Sequence, residues 1–366
     1  MILCEIRNRI AFITLNRPAA LNALSLDMIK DLRSVLSRFA ADPNVHAILI
    51  QGAGGKAFCA GGDIRAIYES YQSSQRPLLD FFVAEYPLDY MLHFYPKPYV
   101  ALIDGIVMGG GMGIAQGSRM RIVGDRTRMA MPEVAIGFFP DVGASYFLSR
   151  LPGSLGPYLA LTGVQIRAAD ALYAGLADAY LPRAGVELFE AELNKLTWSG
   201  DHSDDWRAAI DGIIRKFADN PAEAPLAALR AAIDQHFAAP SVPALLASLE
   251  AEERPEFLEW ARQTIDLMNT RSPTMLAVTL EQLKRGKTMS LAACLRMELG
   301  MVRQSFIQGD FIEGVRAMII DKDNAPVWRP QRIDEVTDSL VESMFADPFA
   351  GATHPLANLE GVRACS

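Results

Sequence analysis

Two glycine-rich loops and two acidic residues carry the chemistry that this 366-residue sequence suggests. The loops are Gly61-Gly62-Asp63 and Gly109-Gly110-Gly111, and the acids are Glu133 and Asp141. Glycine lets backbone N–H groups approach a substrate without obstruction by a side chain. Two such N–H groups directed at one oxygen form an oxyanion hole, beside which a carboxylate can act as a nucleophile or general base. The pattern therefore predicts an enzyme of acyl chemistry that proceeds through a stabilised enolate or tetrahedral oxyanion.

Each of the two acids also has a plainer interpretation. Glu133 has apolar neighbours, where burial would raise its pKa as a general base requires, but it could instead be a capping or salt-bridged glutamate. Asp141 follows Pro140, with Gly143 soon after, so taken alone it is a turn or helix-capping residue. Gly137 and Pro140 separate the acids and exclude one continuous helix, so a loop would have to bring them together.

Other catalytic and binding motifs are missing from the sequence. The five histidines form no HxxxH pair and there is no GxSxG nucleophile elbow, so metal and serine hydrolases have no support. Residues 52–57 match a loose GxGxxA pattern, but the glycines that follow could not open the helix that a dinucleotide site needs. The net charge of −8 argues against general binding of nucleic acid or anionic membranes, so an anionic ligand would need a local basic cluster. We expect no metal and no redox cofactor.

The cysteines and apolar stretches indicate the compartment. Four scattered cysteines without CxxC spacing predict neither a disulfide framework nor a structural zinc. The N-terminus carries charge too early for a signal peptide. The longest apolar stretch, residues 99–116, contains Asp104 and five glycines and predicts a strand, loop and helix rather than a membrane span. We expect a cytoplasmic protein, or a mitochondrial matrix protein if the source is a eukaryote, although no transit peptide is seen.

Alternating strands and helices must position the loops and acids. Ser25 and Asp63 are predicted helix caps. From about Gly185, alanine, leucine and acidic residues recur at helical spacing and predict a helical region. Four short apolar runs predict buried strands of a mostly parallel sheet in an α/β core: Ile10–Leu15, Val45–Ile50, Tyr99–Ile103 and Met120–Val123.

Several stretches resemble the crotonase (enoyl-CoA hydratase/isomerase) superfamily. They are Leu15–Pro18 with Leu21–Leu24, Ala57–Ile64, Lys97–Ala101 with Gly105, and the Gly109–Gly111 loop. Within the superfamily the sequence is most similar to the 3-hydroxyisobutyryl-CoA hydrolase branch, in Met131–Gly143 and Glu313–Asp323. The resemblance extends from about Ile10 to Trp328.

The resemblance implies an α/β fold with a crotonase-like core of repeated ββα turns, followed by a helical C-terminal region. The expected parts are an acyl-CoA-binding core at 1–190, the helical region at 191–346 and a loosely ordered tail at 347–366. It places the oxyanion donors on Gly62 and Gly110 and a substrate contact on Glu85, for which an exposed helical glutamate is the alternative. Coenzyme A, as part of the substrate, would lie near Arg17, Ala23, Lys56, Ala60, Asp63 and Ile64, with Arg17 and Lys56 supplying positive charge.

One departure from the family pattern bears on the reaction. Hydratases of this superfamily use a glutamate shortly after the triple-glycine loop and another at the position of Glu133, but the first position here is Gly113. Without that carboxylate water is not held between two acids, and Asp141 replaces a glycine typical of hydratases. The resemblance therefore implies a thioester hydrolase for a short 3-hydroxyacyl-CoA, with 3-hydroxyisobutyryl-CoA of valine catabolism as the expected substrate.

Three questions stay open at the level of sequence. A hydratase or isomerase with a rearranged acid pair is possible if Asp141 fills the space beside Gly113. A non-catalytic acyl-CoA-binding protein is the second alternative. In a hydrolase, Glu133 could attack the thioester to form a mixed anhydride or could activate a water. The expected partner is a small acyl-CoA, with no nucleic acid or membrane, and a homo-oligomer is possible.

Overall fold

The computed structural model describes residues 1–73, 79–200 and 202–362. Its strands form two sheets within these ranges. One has six strands in the order β1-β2-β3-β5-β7-β9, and the other has three in the order β4-β6-β8. The strands are β1 Ile2–Arg7, β2 Ile10–Leu15, β3 Ala47–Gly52, β4 Ala57–Cys59, β5 Tyr99–Ile103, β6 Ile106–Met108, β7 Met120–Val123, β8 Arg128–Ala130 and β9 Ala179–Tyr180.

The helices fill the connections and the whole C-terminal part. They are α1 Leu26–Ala41, α2 Ile64–Ser73, α3 Asp80–His93, α4 Gly110–Gln116, α5 Ala144–Phe147, α6 Leu155–Thr162, α7 Ala168–Ala174, α8 Arg183–Leu193, α9 Ser203–Phe217, α10 Pro225–His236, α11 Val242–Glu250, α12 Leu258–Asn269, α13 Pro273–Gly286, α14 Leu291–Gln308, α15 Phe311–Val315 and α16 Asp338–Met344. Short 3-10 turns occur at Pro18–Ala20, Glu133–Ile136, Leu148–Arg150, Ile333–Glu335 and Leu359–Val362, and Arg316–Ile320 is a π-helical turn.

The core repeats a ββα turn three times, as predicted. In the pairs β3-β4, β5-β6 and β7-β8, the first strand joins the large sheet and the second joins the small one. Each pair leads into a helix or helical turn, namely α2, α4 and Glu133–Ile136. β4, β6 and β8 are parallel neighbours, so their carboxyl ends meet at one edge. The two glycine loops and Glu133 follow those ends, and the small sheet thereby gathers them.

Most of the predicted elements are confirmed, in some cases with the same bounds. The predicted strands 10–15, 99–103 and 120–123 coincide with β2, β5 and β7, whereas the strand predicted at 45–50 lies two residues later. The Ser25 hydroxyl accepts from the Met28 amide at 3.2 Å and caps α1. The Asp63 carboxylate accepts from the Ala66 amide at 3.1 Å in the first turn of α2.

The helical C-terminal region is confirmed, but its last segment differs from the expectation of a loosely ordered tail. The predicted boundary at residue 190 falls inside α8, and where the chain divides into domains stays a prediction. Leu356 and Leu359 are buried in the apolar core, and Arg296 donates to the Leu356 carbonyl at 3.0 Å. Residues 363–366, with Cys365, lie outside the described residues. None of the helices in the described part of the chain is both long and apolar enough to cross a membrane.

Candidate active site

The amides of Gly62 and Gly110 lie close together at the ends of β4 and β6. A Cβ atom on Gly110 would lie 3.3 Å from the Gly62 nitrogen, so the two loops are in direct contact. Gly61 and Gly109 have φ angles of +103° and +49°, which turn the chain sharply before each amide and are costly for other residues. Within the described ranges neither amide donates to a loop carbonyl, and the first amide of α4 has no acceptor inside its helix. Two free donors thus face the same space.

These donors open on a cavity of about 210 Å³, called here the acid cavity. Three carboxyl groups line it, from Glu85, Glu133 and Asp141. Ala60 and Ile64 also line it, and its apolar wall consists of Phe81, Phe82, Phe138 and Ile319. The four residues predicted to be catalytic and the predicted substrate contact Glu85 therefore surround one space, and their roles in catalysis stay predictions.

Glu133 begins a 3-10 turn and is almost fully buried. It is 7% exposed, and its carbonyl accepts from the Phe138 amide at 3.1 Å, which closes the turn after Gly137. A Cβ on Gly109 would lie 3.0 Å from the Glu133 Oε1 atom, so glycine is needed there for the carboxyl group to approach the donor loop. Its Oε2 atom has no hydrogen-bond partner among the described residues. Burial, and then the charge of Asp141, raise the pKa of Glu133 well above its usual range.

Asp141 is held in the acid cavity by Tyr86. The Tyr86 hydroxyl donates to the Asp141 Oδ2 atom at 2.8 Å, and both side chains are buried. Burial raises the pKa of Asp141 to about 7, although the hydrogen bond from Tyr86 lowers it. The loop from Glu133 through Gly137 folds back and brings the two acids to one cavity, as the sequence analysis required. The turn interpretation is also met in part, because the Asp141 carbonyl accepts from the Ala144 amide at 2.9 Å.

Two buried side chains of the C-terminal helices clamp the loop that carries Asp141. The Glu298 carboxyl group, on α14, accepts from the Gly143 amide at 2.8 Å and from the Ser145 amide at 3.0 Å. Gln282, on α13, donates to the Pro140 carbonyl at 2.5 Å. Between these contacts Val142 has a φ angle of +53°, which costs about 1–3 kcal/mol for a non-glycine residue and persists only where the surroundings enforce it. The C-terminal region thus fixes the geometry of the loop.

Glu85 and Asp89 lie one turn apart on α3. Glu85 is 2% exposed, so the alternative of an exposed helical glutamate is wrong. A Cβ on Gly110 would lie 2.4 Å from the Glu85 Oε1 atom, which places this carboxyl group beside the donor loop. A Cβ on Gly113 would lie 2.6 Å from the Asp89 Oδ1 atom and 2.8 Å from the Val142 Cβ atom. Asp89, and not Asp141, therefore fills the space beside Gly113, and Asp89 does not line the acid cavity.

The remaining predicted coenzyme A contacts lie outside the acid cavity. Arg17 forms an ion pair with Asp63 at 2.7 Å and donates to the Ala23 carbonyl at 3.2 Å. The charge of Arg17 is therefore already balanced, which weakens its predicted role as a free phosphate contact. Lys56 is exposed, with no ion pair among the described residues. Contacts of these residues with coenzyme A stay predictions.

Sequence reasoning missed several residues that shape the site. Tyr86 stands next to Glu85 in the sequence, on a helix that also carries other polar residues, so nothing local marks it. Asp89 follows Glu85 by one turn and so faces the same side of α3, a spacing that could have identified it. Glu298 and Gln282 lie far from the loop in sequence, and nothing local marks them. In the described residues, no group of three or more His, Cys, Asp or Glu side chains is placed to hold a metal ion.

The buried acids predict a stability that falls as the pH rises. Burial raises the pKa of Asp141 from 3.8 to about 7 and that of Glu298 from 4.5 to about 8. At a pH between the ordinary and the raised pKa of each group, the folded protein keeps a proton that the unfolded chain has released. Stability declines with pH wherever the folded state binds more protons. We expect the melting temperature to fall by a few degrees from about pH 5 to about pH 8. Differential scanning fluorimetry at constant ionic strength measures it.

The variant Asp141→Asn isolates one of these groups. It removes a titrating carboxyl group and keeps an acceptor for Tyr86, so the decline with pH should become shallower. Asp80→Asn, at an exposed position of the same helix as Tyr86, is the matched control and should keep the wild-type slope. A slope that is equal in wild type and Asp141→Asn would contradict the raised pKa of Asp141.

Comparison with known proteins defines the class to which this fold and site belong. A family model described as enoyl-CoA hydratase/isomerase matches residues 10–345. The chain belongs to the enoyl-CoA hydratase/isomerase family, and the resemblance to the crotonase superfamily is confirmed. Two solved structures share the fold over nearly the whole chain. The TM-score is 0.85 with a carnitinyl-CoA dehydratase from Mycobacterium thermoresistibile, at 39% identity over 95% of this chain and 97% of that chain.

The second structure is an enoyl-CoA hydratase from Rhodobacter sphaeroides, with a TM-score of 0.83 and 36% identity over 95% of this chain and 97% of that one. Among characterised relatives, the mitochondrial 3-hydroxyisobutyryl-CoA hydrolase of Xenopus tropicalis is 41% identical over 334 residues, which are 91% of this chain and 85% of that protein. The 3-hydroxyisobutyryl-CoA hydrolase 1 of Arabidopsis thaliana is 38% identical over 350 residues, 94% of this chain and 91% of that protein.

Proposed function

We propose that this protein hydrolyses the thioester of a short 3-hydroxyacyl-CoA, with 3-hydroxyisobutyryl-CoA as the favoured substrate. The observation that carries the proposal is the set of groups beside the two free amides. A buried Glu133 with a free carboxyl oxygen and a buried, tyrosine-bonded Asp141 share the acid cavity. The hydratase position Gly113 has no room for a side chain, because Asp89 and Val142 occupy the adjoining space. A nucleophile or base, an oxyanion hole and a second acid are what thioester hydrolysis needs.

The reaction begins with the thioester oxygen on the amides of Gly62 and Gly110. Glu133 either attacks the carbonyl carbon, which gives a mixed anhydride and expels the thiolate, or removes a proton from a water that attacks it. Both routes pass through a tetrahedral oxyanion, and one donor of such a hole is worth about 10²–10³ in rate. The raised pKa of Asp141, about 7, suits a group that exchanges a proton near neutral pH and binds the substrate hydroxyl.

The short acyl group is favoured by the dimensions of the site. The acid cavity of about 210 Å³ is bounded by aromatic side chains and by Ile319 from the C-terminal region, so it leaves little space beyond a small acyl unit. A 3-hydroxyl group requires a polar partner in this apolar enclosure, because an unpaired buried hydroxyl is costly. Asp141 and Glu85 supply such partners. The 38–41% identity to proteins named 3-hydroxyisobutyryl-CoA hydrolase supports the same choice.

A hydratase or dehydratase is the second candidate. The two solved structures that match nearly the whole chain are of a carnitinyl-CoA dehydratase and an enoyl-CoA hydratase. Glu85 also lines the acid cavity with Glu133, so a rearranged acid pair could hold water between them. In that case the water would add to a carbon–carbon double bond and no thiol would leave.

A thiol-release assay separates the candidates. The purified protein is incubated with 3-hydroxyisobutyryl-CoA, 3-hydroxypropionyl-CoA and crotonyl-CoA, and free thiol and loss of the enoyl absorbance are followed in parallel. We expect free coenzyme A from the hydroxyacyl thioesters and no hydration of crotonyl-CoA. Hydration without thiol release would identify a hydratase. Tight binding of coenzyme A with no turnover of any of the thioesters would identify a non-catalytic binding protein.

The location and the assembly of the protein are further proposals. The relatives from Xenopus tropicalis and Rattus norvegicus have names that include "mitochondrial", which supports a matrix location for a eukaryotic protein of this kind. A cytoplasmic location for a bacterial source and a homo-oligomeric state stay proposals. Fractionation of the source cells and light scattering of the purified protein test them.

A further inference from the structure

A second cavity lies directly behind the acid cavity. It has a volume of about 390 Å³ and is called here the rear cavity. Asp89, Gly113 and Val142 form part of its lining, together with Arg119, which is exposed to solvent, and Leu151, which is half-buried. The rear cavity and the acid cavity share no lining residue.

The wall between the two cavities includes three pairs of residues that are close in sequence. In each pair the first residue lines the acid cavity and the second lines the rear cavity. In two of the pairs, Glu85 with Asp89 on α3 and Gly110 with Gly113 on α4, the two residues are one helical turn apart. In the third pair, Asp141 and Val142 are consecutive in sequence. A Cβ at Gly113 would already collide with Asp89, so only glycine leaves this carboxyl group in the wall.

Asp89 is the polar group of this wall that the proposed chemistry has not yet used. It is 4% exposed, and within the described part of the chain neither of its carboxyl oxygens has a hydrogen-bond donor. Glu85 Oε1, on the side of the acid cavity, also lacks a donor. Buried polar groups of this kind are normally satisfied, by ordered water where a roomy polar cavity adjoins them.

Hydrolysis of a thioester requires that water enters the site and that a proton leaves it. The reaction is thioester plus water to carboxylate, thiol and one proton, so each turnover takes in one water and releases one proton. While the acyl group fills the acid cavity, the remainder of the bound acyl-CoA occupies the way out. Water and protons then need a path that does not pass the substrate.

We propose that the rear cavity and Asp89 are the route by which water reaches the catalytic acids, and protons leave them, while acyl-CoA is bound. This inference rests on the proposed hydrolase function and extends it. Asp89 gives its proton to water in the rear cavity and is then reprotonated from the pair of Glu85 and Asp141. It is a positioning and relay residue and does not touch the thioester.

The charges around Asp89 suit a proton carrier. Glu85 on the same helix, Asp141 from the loop and Glu298 from α14 add their negative charges to the effect of burial, and together they raise the pKa of Asp89 well above its usual range. Burial and the charge of Asp89 in turn raise the pKa of Tyr99. The rear cavity carries Arg119, Arg121 and Arg150 on its lining, and the pKa of its His93 is lowered by burial and by the charges of Arg119 and Arg121.

The test compares an Asp89 variant with a plug of the rear cavity. Asp89→Asn removes the proton carrier and keeps the shape, and Leu151→Trp narrows the rear cavity without altering an acid. We expect each to lower kcat for 3-hydroxyisobutyryl-CoA by about tenfold or more, with KM changed by less than about twofold. We also expect a larger solvent deuterium isotope effect, and in Asp89→Asn partial recovery with imidazole buffer, which a purely structural defect would not show.

Matched controls are Asp80→Asn, at an exposed site on the same helix as Asp89, and Leu151→Ala, which widens the rear cavity. Both should retain the wild-type kcat. If Asp89→Asn fails to fold, Leu151→Trp alone decides the matter. Wild-type kcat and isotope effect in Leu151→Trp would overturn the route. A wild-type enzyme that releases no thiol would instead overturn the proposed function, so the two failures are distinguishable.

Discussion

Glu133→Gln is expected to lose turnover of 3-hydroxyacyl-CoA by about 10³-fold or more, while it still binds the thioester. The side chain loses both its nucleophilic oxygen and its ability to accept a proton, yet its volume and the Glu133–Ile136 turn are kept. The amides of Gly62 and Gly110 do not depend on it, so binding of the carbonyl should persist. Steady-state thiol release, together with calorimetric binding of a thioether analogue of the substrate, measures the two effects separately.

The same substitution should not destabilise the protein. The wild-type carboxyl group is buried with one oxygen unpartnered, and its raised pKa records the cost of a charge at that place. A neutral amide removes that cost, so the melting temperature of Glu133→Gln should equal or exceed the wild-type value near neutral pH. Glu69→Gln, at an exposed position of α2, is the control for both measurements and should match wild type. Appreciable activity in Glu133→Gln would remove Glu133 from the catalytic role.

Wild-type turnover in ¹⁸O-labelled water tests for the mixed anhydride on Glu133. If a mixed anhydride forms and water attacks its Glu133 carbonyl, a single turnover transfers the label to the side chain of Glu133. Label only in the hydroxy acid results both when Glu133 activates water and when water attacks the acyl carbonyl of an anhydride. Label on the peptide that contains Glu133, detected by mass spectrometry, therefore establishes the anhydride route.

The elements of the core could be predicted where the sequence pattern is long enough. The apolar runs at β2, β5 and β7 coincide with the structure because buried parallel strands consist of continuous apolar residues. The strands β4, β6 and β8 have three residues each, which is too short for a periodic signal. Only the family resemblance implied them. These short strands are nevertheless what brings the glycine loops and Glu133 to one edge.

The groups that support the site are less accessible to sequence reasoning than the catalytic candidates. Glycine loops and isolated acids stand out by residue type, and the resemblance assigned them positions. Glu298 contacts the Asp141 loop from 155 residues away, and no local pattern predicts such a pairing. The tail was predicted to be loosely ordered from its small residues and its glycine and proline, whereas Leu356 and Leu359 are buried in a core formed by residues far earlier in the sequence.

Asp89 shows why an empty position in a motif is insufficient to assign a reaction. The glycine at 113 correctly indicated that the hydratase glutamate is missing, but the acid that fills the neighbouring space comes from another helix. Its carboxyl group turns toward the rear cavity, while Glu85, one turn earlier, turns toward the acid cavity. Two acids one helical turn apart can therefore line different cavities, and the sequence spacing alone does not show this.

Asp141→Asn is expected to reduce kcat by about 10²-fold, with the smaller effect relative to Glu133→Gln reflecting an assisting role. Asparagine retains an acceptor for the Tyr86 hydroxyl, so the loop geometry should survive while the exchangeable proton is lost. The pKa of Asp141, about 7, should appear in the wild-type pH profile of kcat/KM and vanish in the variant. Thiol release measured from pH 5 to pH 9 gives this profile, because the range extends about two pH units on either side of the pKa.

The variant Tyr86→Phe tests the hydrogen bond between Tyr86 and Asp141 by removing its donor. The pKa of Asp141 should rise, because the hydrogen bond that lowers it is removed, and the profile should shift toward higher pH. In the double variant Tyr86→Phe and Asp141→Asn, the effects on kcat should be less than additive, since the two side chains act through one contact. Fully additive losses would mean that Tyr86 acts elsewhere, and an unchanged pH profile in Asp141→Asn would assign the titration to another of the buried acids.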